Sequence, residues 1–215
     1  MSACIIAGIG TNVGKTLVSS VLVQALGWDY WKPVQSGELA HKDTDEIRRL
    51  IQRSDVVLHE EAYCFNEAMS PHHAAFLDGQ QVTLDGLKIP VSHRCLLIEL
   101  AGGVMVPLRE DFLVLDWLKI LRFPVILVCR YYLGCINHTL MSVRVLQYAG
   151  IPVLGLVFNG EEVSSSREAI LAQTGLPVVA DIPQLSNIGP ESVCESGAMI
   201  NLKVLQDAGF APEKF

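Results

Sequence analysis

The sequence predicts an α/β layered fold: one domain over residues 1–215, with a mainly parallel sheet flanked by helices. Three observations predict it. Short β-branched runs recur along the chain and are apolar over their whole length, as strands covered on both faces are. Segments with helical periodicity lie between them, so strands alternate with helices. No repeat, low-complexity tract or Gly/Ser linker divides the 215 residues, and 50% of them are hydrophobic, enough for one buried core.

In chain order, the expected strands are residues 4–7, a short one at 30–32, then 95–99, 124–129, 152–158 and 177–182. The expected helices are 15–26, 44–52, 112–121, 137–149 and 166–174. The longest apolar stretches, 123–129 and 151–158, fall far short of the ~18 residues a membrane span needs. The N-terminus has no basic leader and runs directly into the first strand, so a cytoplasmic protein is expected. Six cysteines, Cys4, Cys64, Cys95, Cys129, Cys135 and Cys194, form no Cys-x-x-Cys pair and read as reduced core residues, not zinc ligands. A formal net charge of -7 argues against nucleic-acid binding, which needs Lys and Arg to neutralise phosphates. A small anion is still admissible, because backbone N–H groups bind one locally whatever the global charge.

The segment Gly8-Ile9-Gly10-Thr11-Asn12-Val13-Gly14-Lys15-Thr16 follows the first strand and opens the first helix. Such a loop suits phosphate. Glycines admit close backbone approach, the helix-start N–H groups point inward, and the helix dipole favours negative charge. Lys15 would reach the β- and γ-phosphates, and Thr16 would ligate magnesium. The strict P-loop pattern wants glycine where Ile9 stands, so the loop is a variant. The expected fold is therefore P-loop NTPase-like, with ligands at the carboxyl ends of strands. A hard cation there needs oxygen donors. Glu99, which ends an apolar strand before Leu100-Ala101-Gly102-Gly103, is the first choice. Asp43 and Asp45 read, from the residues alone, as acids that cap a helix.

Together with that loop, several segments resemble dethiobiotin synthetase in kind and order: Lys32-Pro33-Val34-Gln35-Ser36-Gly37, Thr44-Asp45, Ser70-Pro71-His72, Glu99-Leu100-Ala101-Gly102-Gly103, Leu133-Gly134-Cys135-Ile136-Asn137-His138-Thr139, Asn159 and Asp181-Ile182-Pro183. The resemblance runs from near residue 4 to near residue 185, and segments 32–37 and 133–139 are its most specific parts. The family's one-residue-longer glycine spacing also accounts for the variant loop.

The resemblance implies an ATP-dependent cyclo-ligase of biotin biosynthesis. Carbon dioxide or bicarbonate would be joined to 7,8-diaminononanoate through a carbamate and a carbamic-phosphoric anhydride, giving dethiobiotin, ADP and phosphate. Lys32 and Lys15 would be the catalytic lysines, and Thr16, Asp45 and Glu99 would hold magnesium. ATP contacts would come from Asn12, Val13, Gly14, Lys15, Thr16, Leu17, Asp45, Glu99, Leu100, Ala101, Gly102, Asn159, Gly160, Pro183, Gln184 and Leu185. Substrate contacts would come from Ser36, Leu133, Gly134 and Asn137, with the 133–138 segment reaching across a homodimer interface. His72 and His138 receive no catalytic role.

Gly10, Asn12, Leu100 and Tyr132 depart from common family patterns. Leu100 stands where glycine is usual and would crowd the nucleotide unless the turn shifts. Three other readings stay open, one of them a degenerate homologue that binds nucleotide and catalyses nothing. A ligase for a different amine or acid would share the loop and Glu99 but not segment 32–37. A nucleotide switch that positions partners on membranes usually carries an extra early-loop lysine and often a basic amphipathic tail, whereas Ile9 and Gly10 stand in this loop and the tail mixes Lys203 with Asp207.

Overall fold

The computed structural model describes residues 2–212. In chain order its elements are β1 (Ala3–Gly8), α1 (Lys15–Leu26), β2 (Asp29–Trp31), β3 (Val34–Ser36), α2 (Asp43–Leu50), β4 (Leu58–His59), β5 (Tyr63–Phe65) and α3 (Pro71–Leu77). There follow β6 (Leu96–Gly103), β7 (Pro107–Arg109), β8 (Phe112–Leu113), α4 (Val114–Leu121), β9 (Val125–Arg130), α5 (Cys135–Tyr148), β10 (Val153–Asn159), α6 (Ser164–Thr174), β11 (Val178–Ile182), α7 (Pro190–Ser196) and α8 (Leu202–Asp207).

Seven strands form one sheet in the order β11-β10-β9-β1-β6-β2-β4, and each pairing along it is parallel. The pairs β3–β5 and β7–β8 stand apart from it. All six expected strands belong to the large sheet. Their cores are buried, β1 along its whole length, which explains why they read as unbroken apolar runs and not as alternating ones. The expected helix at 112–121 begins only at Val114, because Phe112 and Leu113 pair with β7. Asp116 fixes that start by accepting the Leu113 N–H at 3.0 Å.

Parallel pairing brings the carboxyl ends of the strands to one edge. From central β1 the chain first builds one side of the sheet, through β2 and β6, and then the other, through β9, β10 and β11. The crevice opens at that reversal, beyond the end of β1. β6 runs past its expected end as far as Gly103, which pairs with Gly8 after an irregularity in register.

The loop between β1 and α1 is held from β10. Asn159 donates through Nδ2 to the Val13 carbonyl at 2.9 Å. Gly14 is in the left-handed region (φ 91), and a Cβ there would lie 2.1 Å from Asn159 Nδ2. Two independent constraints thus demand glycine. Gly14→Ala is expected to destabilise the protein by about 1–3 kcal/mol, read as a lowered denaturant midpoint; an unchanged midpoint would show that the loop moves freely of β10.

Candidate active site

A cavity of about 710 Å³ opens at the carboxyl edge of the sheet. One wall is the loop, from Thr11 and Asn12 through Gly14, Lys15, Thr16 and Leu17. Lys32, Gln35 and Ser36 form a second side with Ser70 and Pro71, and the strand ends contribute Glu99, Ala101, Gly102, Arg130 and Asn159, beside Pro183, Gln184 and Leu185.

Glu99 is fully buried at its centre. Its Oε1 accepts a hydrogen bond from Thr16 Oγ1 at 3.1 Å, and its Oε2 accepts from Ser19 Oγ at 2.7 Å and from the Tyr30 hydroxyl at 3.1 Å. Lys32 Nζ lies 3.5 Å from Oε1 and also pairs with Asp43. The spacing explains the convergence. Thr16 and Ser19 lie one turn apart on one face of α1. Tyr30 and Lys32 are two apart along an extended segment and so project to the same side.

Lys15 is buried, and its Nζ donates to the Gly10 carbonyl at 3.1 Å within its own loop. Burial pushes its pKa down to about 8; Glu99 opposes that shift and Lys32 adds to it. Burial, then the adjacent Glu99, holds the Tyr30 phenol well above its usual range, so Tyr30 remains a donor. The Ser36 hydroxyl is buried at the cavity wall and has no hydrogen-bond partner among the described residues. Such a group is costly unless a ligand or a cavity water satisfies it. Among the described residues no group of three or more His, Cys, Asp or Glu could hold a metal. A hydroxyl and a carboxylate, Thr16 and Glu99, instead suit a hard cation that takes its remaining oxygens from phosphate and water.

A family model described as an AAA domain matches residues 2–192. A protein named ATP-dependent dethiobiotin synthetase from Christiangramia forsetii is 41% identical over 179 residues, covering 83% of this chain and 86% of that protein. Its counterpart of the same name from Brucella ovis is 39% identical over 211 residues, covering 98% and 99%. This chain belongs to the dethiobiotin synthetase family.

Solved P-loop ATPases share the fold of this dethiobiotin synthetase family member. The cell-division ATPase MinD of Pyrococcus furiosus superposes with a TM-score of 0.55 at 20% identity, covering 97% of this chain and 99% of that one. A ParA family ATPase of Chlorobium tepidum gives 0.55 at 13% identity, covering 98% and 94%. At those identities the likeness concerns architecture alone.

Of the residues that the dethiobiotin synthetase resemblance singled out, the cavity gathers Asn12, Gly14, Lys15, Thr16, Leu17, Lys32, Ser36, Glu99, Ala101, Gly102, Asn159, Pro183, Gln184 and Leu185. Asp45 is not among them. Its half-exposed carboxylate pairs with Arg48, and Asp43 faces Lys32 instead. Two positions on a helix differ by roughly 200° in direction, so both acids cannot face the cavity from α2. Val13 turns its side chain into the core, and Gly160 borders a neighbouring hollow with Tyr131 and Phe158. Leu133, Gly134 and Asn137 are exposed and lie outside the cavity of the single chain.

Leu100 corrects the sequence expectation. It is 1% exposed and belongs to the core, pointing away from the cavity that Glu99 and Ala101 line. Alternation along β6 sends its side chain to the other face, so no crowding arises. Sequence reading also passed over Ser19, Tyr30 and Arg130, and read Asp43 only as a helix-capping acid. The first two were signalled by their spacing from Thr16 and Lys32. Leu100→Gly is expected to cost about 3–5 kcal/mol of stability and to leave ADP affinity of the folded fraction unchanged; tighter ADP binding would restore the crowding account.

Proposed function

We propose that this protein is an ATP-dependent dethiobiotin synthase, joining carbon dioxide to 7,8-diaminononanoate and closing the cyclic urea. The observation that carries this reading is the convergence, in one cavity, of the phosphate loop, the buried Glu99 and the Lys32–Ser36 side. ATP spans the cavity with its phosphates on the loop and its purine toward Asn159, Pro183, Gln184 and Leu185. The diamine occupies the side of Lys32 and Ser36, where the unpartnered Ser36 hydroxyl supports a polar contact. Thr16 and Glu99 hold magnesium, whose chemistry when bound is to neutralise phosphate charge.

A carbamate formed on one amine must approach the γ-phosphate, so two anions meet. Lys32 screens that approach. Its ammonium is already fixed between Asp43 and Glu99, and a preorganised charge needs little rearrangement at the moment of reaction. Attack of the carbamate oxygen on the γ-phosphorus expels ADP and gives the mixed anhydride. The second amine of the same molecule then attacks its carbonyl and expels phosphate, and effective molarity favours the ring closure. Positioning outweighs acid–base catalysis in this scheme.

The exposed segment at Leu133, Gly134 and Asn137 supports a homodimer in which a second copy supplies substrate contacts. No helix among the described residues is long and apolar enough to cross a membrane. We assign a cytoplasmic location and small-molecule substrates, with no role for nucleic acid at a net charge of -7.

The protonation of Lys15 gives a direct test of phosphate binding. With a pKa of about 8 in the free protein, roughly half of the ammonium is deprotonated at pH 8. A phosphate chain favours the charged form and raises that pKa, so ADP binding is expected to take up about half a proton at pH 8 and almost none at pH 6.5. Calorimetry in buffers of different ionisation enthalpy measures this; buffer-independent enthalpy at pH 8 would count against it.

Turnover tests the chemistry. With magnesium ATP and bicarbonate, ADP release is expected to depend on 7,8-diaminononanoate and to match dethiobiotin formed by mass. Lys32→Ala is expected to lose product formation by at least about a thousandfold while binding ADP within about threefold of the parent. ATP hydrolysis indifferent to the diamine would favour a switch ATPase or a ligase for another amine.

A further inference from the structure

The arginine that ends β9 takes no part in the scheme above. Arg130 stands in register with Asn159 on the adjacent strand β10, and both line the cavity. Its Nη1 donates to the Asn12 carbonyl at 3.1 Å. Asn12 itself holds a left-handed conformation (φ 56) in the middle of the phosphate loop. Arg130 Cγ lies 3.9 Å and Gln184 Oε1 3.7 Å from the point a Cβ on Gly160 would occupy, so the arginine stem and Gln184 flank that glycine. The side chain therefore bridges the phosphate loop and the purine end.

The charges in the cavity are not equivalent. Lys32 is paired with Asp43 and Glu99, and Lys15 is buried with its Nζ donating to the Gly10 carbonyl. Arg130 is exposed at the rim and forms no ion pair among the described residues. A guanidinium carries five N–H donors in a planar fork, so one bond to Asn12 leaves four. A fork can hold a carbonyl and a phosphate oxygen at once, which a lysine ammonium does less well.

We propose that Arg130 is a nucleotide-binding residue that contacts the α-phosphate, at the junction between the loop that takes the terminal phosphates and the strand ends that take the purine. This rests on the nucleotide-site reading given above. An arginine that merely braced the loop through Asn12 would act on the terminal phosphates alone, whereas a direct contact acts on any ligand that carries an α-phosphate.

The test is competition of ADP, AMP and adenosine against a fluorescent ADP derivative, on the parent protein, Arg130→Gln and Arg130→Lys, with thermal midpoints confirming that each variant is folded. Arg130→Gln is expected to weaken ADP and AMP to the same degree, about tenfold or more, and to leave adenosine within about twofold. Arg130→Lys is expected to recover only part of the loss. Weakened ADP with AMP spared would reduce Arg130 to a loop brace and overturn the proposal. Equal weakening of all three ligands would make it purine-end packing, and no change in any would make it a solvated strand end; both overturn it. Failure of the parent protein to bind ADP would instead defeat the nucleotide reading before any variant is compared.

Discussion

Everything around the cavity depends on a carboxylate buried out of reach of water. An unpaired Glu99 would carry a desolvation penalty of several kcal/mol. Four donors offset it: the hydroxyls of Thr16 and Ser19 from α1, the Tyr30 phenol from β2 and the Lys32 ammonium just beyond it. Satisfying the charge therefore fixes three elements at once. The helix that opens at the phosphate loop, the strand that leads to Lys32 and the strand that ends at Glu99 cannot shift relative to one another without breaking a buried bond. The residue read as a metal ligand from sequence is equally the keystone that aligns the loop with the lysine.

A second set of bonds stiffens the loop from the other half of the sheet. Asn159 holds the Val13 carbonyl and closes on Gly14, and Arg130 holds the Asn12 carbonyl, so two successive strand ends grip two successive loop residues. Both Asn12 and Gly14 are left-handed, a backbone state that L side chains rarely adopt. Asparagine tolerates it better than most residues, which gives a physical reason for the departure at position 12. The loop is thus shaped before any ligand arrives, and little ordering remains to oppose binding.

Legibility in the sequence tracked the length and burial of each feature. The long parallel strands announced themselves as apolar runs, and α1 spans the residues its periodicity predicted. Two- and three-residue strands such as β3, β4 and β5 carry too few positions for any period to register, and α3 and α8, of seven and six residues, are equally silent. At the site, the placement of motif residues on the loop and at strand ends was legible, because spacing from a glycine turn fixes where they stand. Asp43 against Asp45 was not, since that choice turns on where α2 begins, and a one-residue uncertainty rotates the helix by about 100°. Leu100 was misread for a related reason. Its neighbours Glu99 and Ala101 reach the cavity, and strand alternation excludes the residue between them.

Net charge misled least where it was used least. The chain carries -7, yet its cavity collects Lys15, Lys32 and Arg130. Two of these cations are already committed, Lys32 to Asp43 and Glu99, and Lys15 to a backbone carbonyl. The free protein therefore presents a milder field than a count of cations suggests, which spares it the repulsion of three uncompensated charges around one cavity. A phosphate chain changes that balance locally. It would favour the charged form of Lys15, against the burial and the neighbouring Lys32 that lower its pKa in the free protein. On the proposed reading, the nucleotide and diamine sides would share one buried carboxylate, since Glu99 contacts both Thr16 and Lys32.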